Sequence, residues 1–244
     1  MQGTKLTPMG GVNLFYGDLV DKSRSSYSFG AAFERDINRY FAGRANLMMG
    51  QMKGTQLLPQ SDLQYAYFEN KYFEFGVGAN FRILDYALGY FKQRTFSPYV
   101  TGQFGIIYYD ATEWYGNGAG DYPDGSPKEN TVWHDAKGIS PLVTLGGGIS
   151  FWITPRISFR TEFLANKPFT DMLDAHKEWD DNEGVIHPTD AGDFYYTATA
   201  GITITLKDNR WRNEPKYNRK TYVKMRKYNM SSGSNRSKFK VNRR

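Results

Sequence analysis

Apolar and polar side chains alternate along eight stretches of this chain. The clearest runs from Tyr196 to Leu206. Tyr196, Ala198, Ala200, Ile202, Ile204 and Leu206 share one face of an extended strand, and Thr197, Thr199, Gly201, Thr203 and Thr205 share the other. The same period of two recurs in 27–35, where Tyr27, Phe29, Ala31 and Phe33 oppose Ser28, Gly30, Ala32 and Glu34. In 40–49 the apolar face is Phe41, Gly43, Ala45, Leu47 and Met49. In 72–82 it is Phe73, Phe75, Val77, Ala79 and Phe81, and in 99–109 it is Val100, Gly102, Phe104, Ile106 and Tyr108. Stretches 142–151 and 157–163 follow suit, and Met9 to Tyr16 is a weaker instance. A soluble sheet can show such a strand once. A membrane barrel must show it in every strand, because one face meets lipid and the other the lumen.

The pattern predicts an all-β fold, an eight-stranded antiparallel transmembrane β-barrel of the size of OmpA and OmpX, with an extended C-terminal tail. The stretches match the roughly 9–11 residues of a tilted membrane strand. The predicted inner face carries Arg44, Glu74, Arg82, Arg160 and Glu162. Opposite charges in so narrow a lumen pair and fill it, so no open pore is expected. Connections should alternate between short turns and long loops. Short ones are predicted around Arg35–Arg39 and at Thr154–Arg156, and long ones at Gly50–Lys71, Asp110–Ile139 and Ala165–Asp193. The connection from Ile83 to Phe96 is of middle length and suggests a short interfacial helix. With an even strand number, both ends of the barrel lie on the periplasmic side.

Composition supports this picture. Aromatics are 16% of the 244 residues, as suits strands and interfacial girdles. Mean hydropathy is low, at −0.62, and no apolar run reaches the roughly 18 residues of a membrane helix. There is no cysteine, hence no disulfide, thiol chemistry or lipidated Cys. Met1 to Leu14 has neither a basic start nor a continuous apolar core, so the sequence reads as a mature form.

Charge divides the chain in two. Of 31 Lys and Arg, 14 lie from Lys207 to Arg244, with only Asp208 and Glu214 of the 25 acids. The tail is therefore +12 and the remainder −6, which sum to the net +6. We divide the chain into a barrel, 1–207, and a basic periplasmic tail, 208–244. In the tail, Arg210, Arg212, Lys216, Arg219, Lys220, Lys224, Arg226 and Lys227 are interleaved with Trp211, Tyr217 and Tyr222. Such a segment suits nucleic acid, anionic headgroups or an acidic protein partner. Attached to a barrel, its expected role is docking to a protein partner, and nucleic acid is set aside.

Three stretches carry a resemblance. They are Leu14-Phe15-Tyr16-Gly17-Asp18-Leu19, the run from Phe96 through Pro98-Tyr99-Val100-Thr101-Gly102 to Tyr109, and Pro168-Phe169-Thr170-Asp171-Met172-Leu173-Asp174. In these the chain resembles the PorG-type outer-membrane barrels of the type IX secretion system. The resemblance implies a non-enzymatic structural component that anchors a periplasmic ring of a PorK-like lipoprotein and a PorN-like protein. It also implies contact with outer-membrane lipid and many copies in a larger assembly.

Other chemistry is sparse. His134, His176 and His187 all fall in predicted outer loops, and no G-x-S-x-G occurs. The acidic run Asp180-Asp181-Asn182-Glu183-Gly184 lacks EF-hand spacing, so no metal or cofactor is expected. Gly146-Gly147-Gly148 sits in a strand without a following Lys-Ser/Thr, which points to close packing instead of phosphate. The alternative is a small outer-membrane barrel enzyme or ligand carrier acting on lipid or lipopolysaccharide. A soluble lipocalin-like barrel would instead turn its apolar faces inward.

Overall fold

The computed structural model describes residues 3–17, 22–38, 40–57, 63–88, 95–117, 129–154, 156–175, 178–180, 186–188 and 192–207. Its strands are β1 (Thr4–Tyr16), β2 (Lys22–Arg24), β3 (Ser26–Asp36), β4 (Phe41–Leu57), β5 (Gln64–Arg82), β6 (Phe96–Tyr115), β7 (Val132–Trp152), β8 (Ile157–Pro168), β9 (Glu178–Asp180), β10 (Ile186–Pro188) and β11 (Phe194–Lys207). One short helix, α1 (Ile83–Leu88), follows β5, where the sequence suggests an interfacial helix.

Eight of these strands form a closed antiparallel ring. The order β4-β3-β1-β11-β8-β7-β6-β5 returns to β4 through its pairing with β5. Closure leaves no strand edge unpaired around the wall, as a bilayer requires. The last strand seals the ring against the first, with Gly10 opposite Ala200 and Val12 opposite Ala198. The strand β2 extends the upper part of β4, and β9 pairs only with β10.

The alternation places the apolar set outward. Phe73, Phe75 and Val77 on β5, and Val100, Phe104 and Ile106 on β6, are all exposed. The polar set turns inward: Thr197, Thr199, Thr203, Asn46, Asn80 and Thr101 are buried. A soluble barrel would reverse this. On β5 the outward apolar positions run from Phe73 to Phe81, bounded above by Lys71. That span fits the roughly 9–11 residues of a membrane strand. The chain is thus an integral outer-membrane β-barrel. Among the described residues no helix is long and apolar enough to cross a membrane.

The wall is uneven in height. Strands β4 to β7 have 17, 19, 20 and 21 residues, whereas β1, β3, β8 and β11 have 13, 11, 12 and 14. Half of the barrel therefore rises above the lipid band at one end. Two long connections predicted from sequence, Gly50–Lys71 and Asp110–Ile139, are paired strand at both of their ends, through Leu57 and from Gln64 in the first and through Tyr115 and from Val132 in the second. Lys53 faces Glu69 and Asp110 faces Lys137 in register. Above the lipid the outward face meets water, so these extensions lack the apolar alternation that marks a membrane strand. The third long connection, predicted from Ala165, begins only after Pro168, because Ala165 to Pro168 continue β8 in register with β7.

The opposite end carries the short turns. Asn38 Oδ1 accepts from the Tyr40 and Phe41 amides, at 2.8 and 2.7 Å, and Thr154 Oγ1 accepts from the Ile157 amide at 3.0 Å. Both are side-chain-stabilised turns of the kind Asn and Thr favour. Thr4 pairs with Lys207, so both ends of the barrel chain lie at this turn end.

Candidate functional site

The tail residues singled out by sequence, Arg210, Trp211, Arg212, Lys216, Tyr217, Arg219, Lys220, Tyr222, Lys224, Arg226 and Lys227, lie outside the described residues. What the structure describes is the barrel up to Lys207 and the side chains that fill its lumen.

The lumen is closed midway by a four-membered charge network. Arg44 projects inward from β4 and Glu162 from β8. The two Nη atoms of Arg44 donate to the Glu162 carboxylate, at 2.6 and 2.7 Å. Arg160, two residues before Glu162 and on the same face, grips Glu34 with both Nη atoms, the Nη2 contact being 2.8 Å. Cross-contacts tie the pairs together: Arg160 to Glu162 at 3.5 Å and Arg44 to Glu34 at 4.0 Å. Asn80 donates to Glu34 at 2.5 Å, and Tyr99 donates its hydroxyl to Glu162. The Arg160 guanidinium also lies 4.8 Å from the Tyr99 ring centroid, within cation–π range. All four charged side chains are nearly inaccessible to solvent. Two cations thus meet two anions, which is the condition under which buried charge is tolerated.

The glycine run in β7 makes room for this network. A Cβ on Gly148 would lie 2.3 Å from the Tyr99 hydroxyl and 2.6 Å from the Thr161 carbonyl. Absence of a side chain lets Tyr99 lean across β7 to reach Glu162. Gly148→Val is expected to displace Tyr99 and cost about 1–3 kcal/mol. A urea titration in detergent micelles, compared with wild type, measures it. An unchanged midpoint would remove this role from Gly148.

A second closure lies towards the tall end. Phe15, Met52, Phe68, Tyr72, Leu173 and Tyr195 are buried together. Phe15 meets Phe68 edge-on at 4.9 Å. Leu173 belongs to the stretch Pro168–Asp174 quoted above. Its carbonyl accepts from Asn70 Nδ2 at 2.7 Å and its amide donates to Asp193 at 2.8 Å. Ala175 completes the turn in the left-handed region, at φ 68°. Nothing in the acidic loop sequence singles out Leu173 as a core residue; it is one of two apolar side chains, with Met172, between Asp171 and Asp174. Below it, Glu74 accepts from the Tyr195 hydroxyl at 2.9 Å.

A third cluster guards the turn end. Asp36 pairs with Arg82 and lies 3.8 Å from Lys5, whose ammonium sits 5.6 Å from the Trp152 ring.

The histidines divide. His134 is at the tall end, as the sequence predicts, but on β7 and not in a loop. Its Nδ1 is 3.0 Å from Glu113 Oε2 and its ring rests on Trp133 at 4.8 Å. The side chains of His176 and His187, and those of the acidic run 180–184, lie outside the described residues. Among the described residues no group of three or more His, Cys, Asp or Glu side chains is placed to hold a metal ion.

No protein-family model matches the chain, and no curated protein sequence matches it. Solved structures with similar folds include Neisserial surface protein A, at 13% identity and a TM-score of 0.49, covering 83% of this chain and 97% of that one. A major outer membrane protein from Thermus thermophilus aligns at 11% identity and a TM-score of 0.47, covering 83% and 99%. The attachment invasion locus protein Ail of Yersinia pestis aligns at 12% identity and a TM-score of 0.43, covering 84% and 100%. At such identities no residue role carries over.

Proposed function

We propose that this barrel is a structural component of a type IX protein secretion machinery. It binds a periplasmic ring of a PorK-like lipoprotein and a PorN-like protein and anchors that ring at the outer membrane. It is not an enzyme in this reading.

The observation that carries the reading is the shared end of the barrel chain. Thr4 and Lys207 are paired at the end with the short turns, and short turns mark the periplasmic side of such barrels. The tail that begins at Asp208 then enters the periplasm. It carries +11, by the count above without Lys207, interleaved with aromatics. A segment of this kind suits an acidic protein surface, where its cations steer encounter and its aromatics anchor the contact. A lumen closed at two levels suits an anchor and does not suit a conduit. The three stretches that resemble PorG-type barrels support the same role.

Removing residues 208–244 is expected to abolish or strongly reduce co-purification of the ring proteins from native membranes. The barrel itself should still assemble, as read from its heat-dependent gel mobility. If the truncated barrel captures the ring proteins as well as the full chain does, the tail is not the dock.

A further inference from the structure

The tall half of the barrel bears a surface that anchoring a ring does not use. It goes beyond the proposed function and shares with it only the assignment of the turn end to the periplasm. Immediately above the lipid band, outward residues on adjacent strands form a transverse row: Gln51 faces Lys71, Lys71 faces Asp110, and Asp110 faces Lys137. One step higher Lys53 pairs with Glu69 at 2.5 Å, and Arg24 lies opposite Lys53 on β2. Lys71 and Lys137 are exposed, and Lys137 also meets Asp110 at 2.8 Å. Directly below stand Phe73, Tyr108 and Ile139, all exposed to lipid. Lys137 bridges the two zones, with its ammonium 5.8 Å from the Tyr108 ring.

Higher still, the wall turns aromatic again. Tyr67 and Trp114 are register partners and stack at 5.3 Å with an interplanar angle of 19°. Both are on the outward face and partly exposed. Trp114 is four residues beyond Asp110, so it stands roughly 13 Å further along the strand. Lipid does not reach that height, and a flat aromatic pair facing water above a cationic row has no role in crossing a membrane.

We propose that this face binds the headgroup of a phosphorylated glycolipid of the outer leaflet. Its phosphates lie at the top of the acyl layer, where Lys71, Lys137 and Lys53 stand. Its sugars continue outward, where the faces of Trp114 and Tyr67 receive the C–H faces of pyranose rings. The order apolar, cationic, aromatic along the strands matches the order acyl chain, phosphate, sugar along such a lipid. The carboxylates of Glu69 and Asp110 pair with Lys53 and Lys137 and hold those ammonium groups in place. A phospholipid satisfies the cationic row and leaves the aromatic pair unused.

The test uses the full chain in phosphatidylcholine vesicles doped with one of three probes: diphosphoryl lipid A bearing inner-core sugars, diphosphoryl lipid A alone, or phosphatidylglycerol. Lipid retained by the protein after detergent extraction is quantified by mass spectrometry. Core-bearing lipid A should be retained best and phosphatidylglycerol least. K71Q and K137Q should each lower retention of both lipid A forms about fivefold, as expected for one cation at an anionic surface. W114A should lower retention of the core-bearing form only. Lys167→Gln, on the low half of the rim, should change nothing, and inorganic phosphate in solution should not displace the lipid. Equal retention of all three probes, equal loss with Lys167→Gln, or displacement by inorganic phosphate would each overturn the proposal. Gel mobility of each variant separates loss of binding from loss of folding. Because the tail is intact in all of them, ring capture reports independently on the proposed function.

Discussion

Arg44→Ala is expected to lower barrel stability by about 3–5 kcal/mol, the usual cost of removing one partner from a buried ion pair. Arg44 is the bidentate partner of Glu162 and lies 4.0 Å from Glu34. Its loss leaves two buried carboxylates facing Arg160 alone. Coulomb attraction is strong where water is excluded, and so is the penalty for an uncompensated charge. Glu162 keeps its Tyr99 donor and Arg160 at 3.5 Å, so the effect should fall towards the lower end of that range. Arg44→Met combined with Glu162→Leu should recover part of the loss, because the network then retains the balanced Arg160–Glu34 pair. Urea unfolding in lipid vesicles, with single and double variants compared, measures both effects. A single-variant change below about 0.5 kcal/mol would mean that the charges are hydrated and the lumen is not closed there.

Val77→Arg is the second large effect. Val77 is half exposed and sits at the middle of the outward band from Phe73 to Phe81. In a bilayer, arginine at the midplane of a barrel's lipid face costs about 2–4 kcal/mol. In water the same outward substitution would cost almost nothing. Val77→Arg should therefore reduce assembly into vesicles and lower the urea midpoint, while Tyr67→Arg, above the band, should leave assembly intact and cost no more than the roughly 1 kcal/mol of its stacking on Trp114. Equal tolerance of both would contradict the membrane assignment.

The contrast between these two sites also explains how much of the fold was legible. Between Phe73 and Phe81 the lipid demands an apolar side chain at every second position, so the strand can be read directly. Beyond Lys71 that demand ends. The extension back to Gln64 carries Glu69, Tyr67 and Tyr65 outward, with no apolar period, and it reads as loop. The inward charges were legible one by one. Their partnership was not: Arg160 and Glu34 are 126 residues apart, and only closure of the ring brings them together. Leu173 was hidden for a related reason. Its burial depends on Asn70 and Asp193 holding its backbone, contacts that leave no period in the sequence. The resemblance to PorG-type barrels rested partly on that stretch, and the structure gives it a concrete task in closing the barrel. The basic tail was legible only as composition, which indicates its charge and not its partner.

Where the tail goes decides between an anchor and a barrel with some other task. A photo-crosslinking amino acid placed at Trp211 or Tyr217, in cells that assemble the secretion machinery, reports the neighbours of that segment in the native envelope. The proposed function predicts crosslinks from both positions to the PorK-like or PorN-like ring protein, and none from a probe at Phe169 on the opposite end of the barrel. Crosslinks from Phe169 to the ring, or tail crosslinks to lipid and other proteins alone, would contradict it.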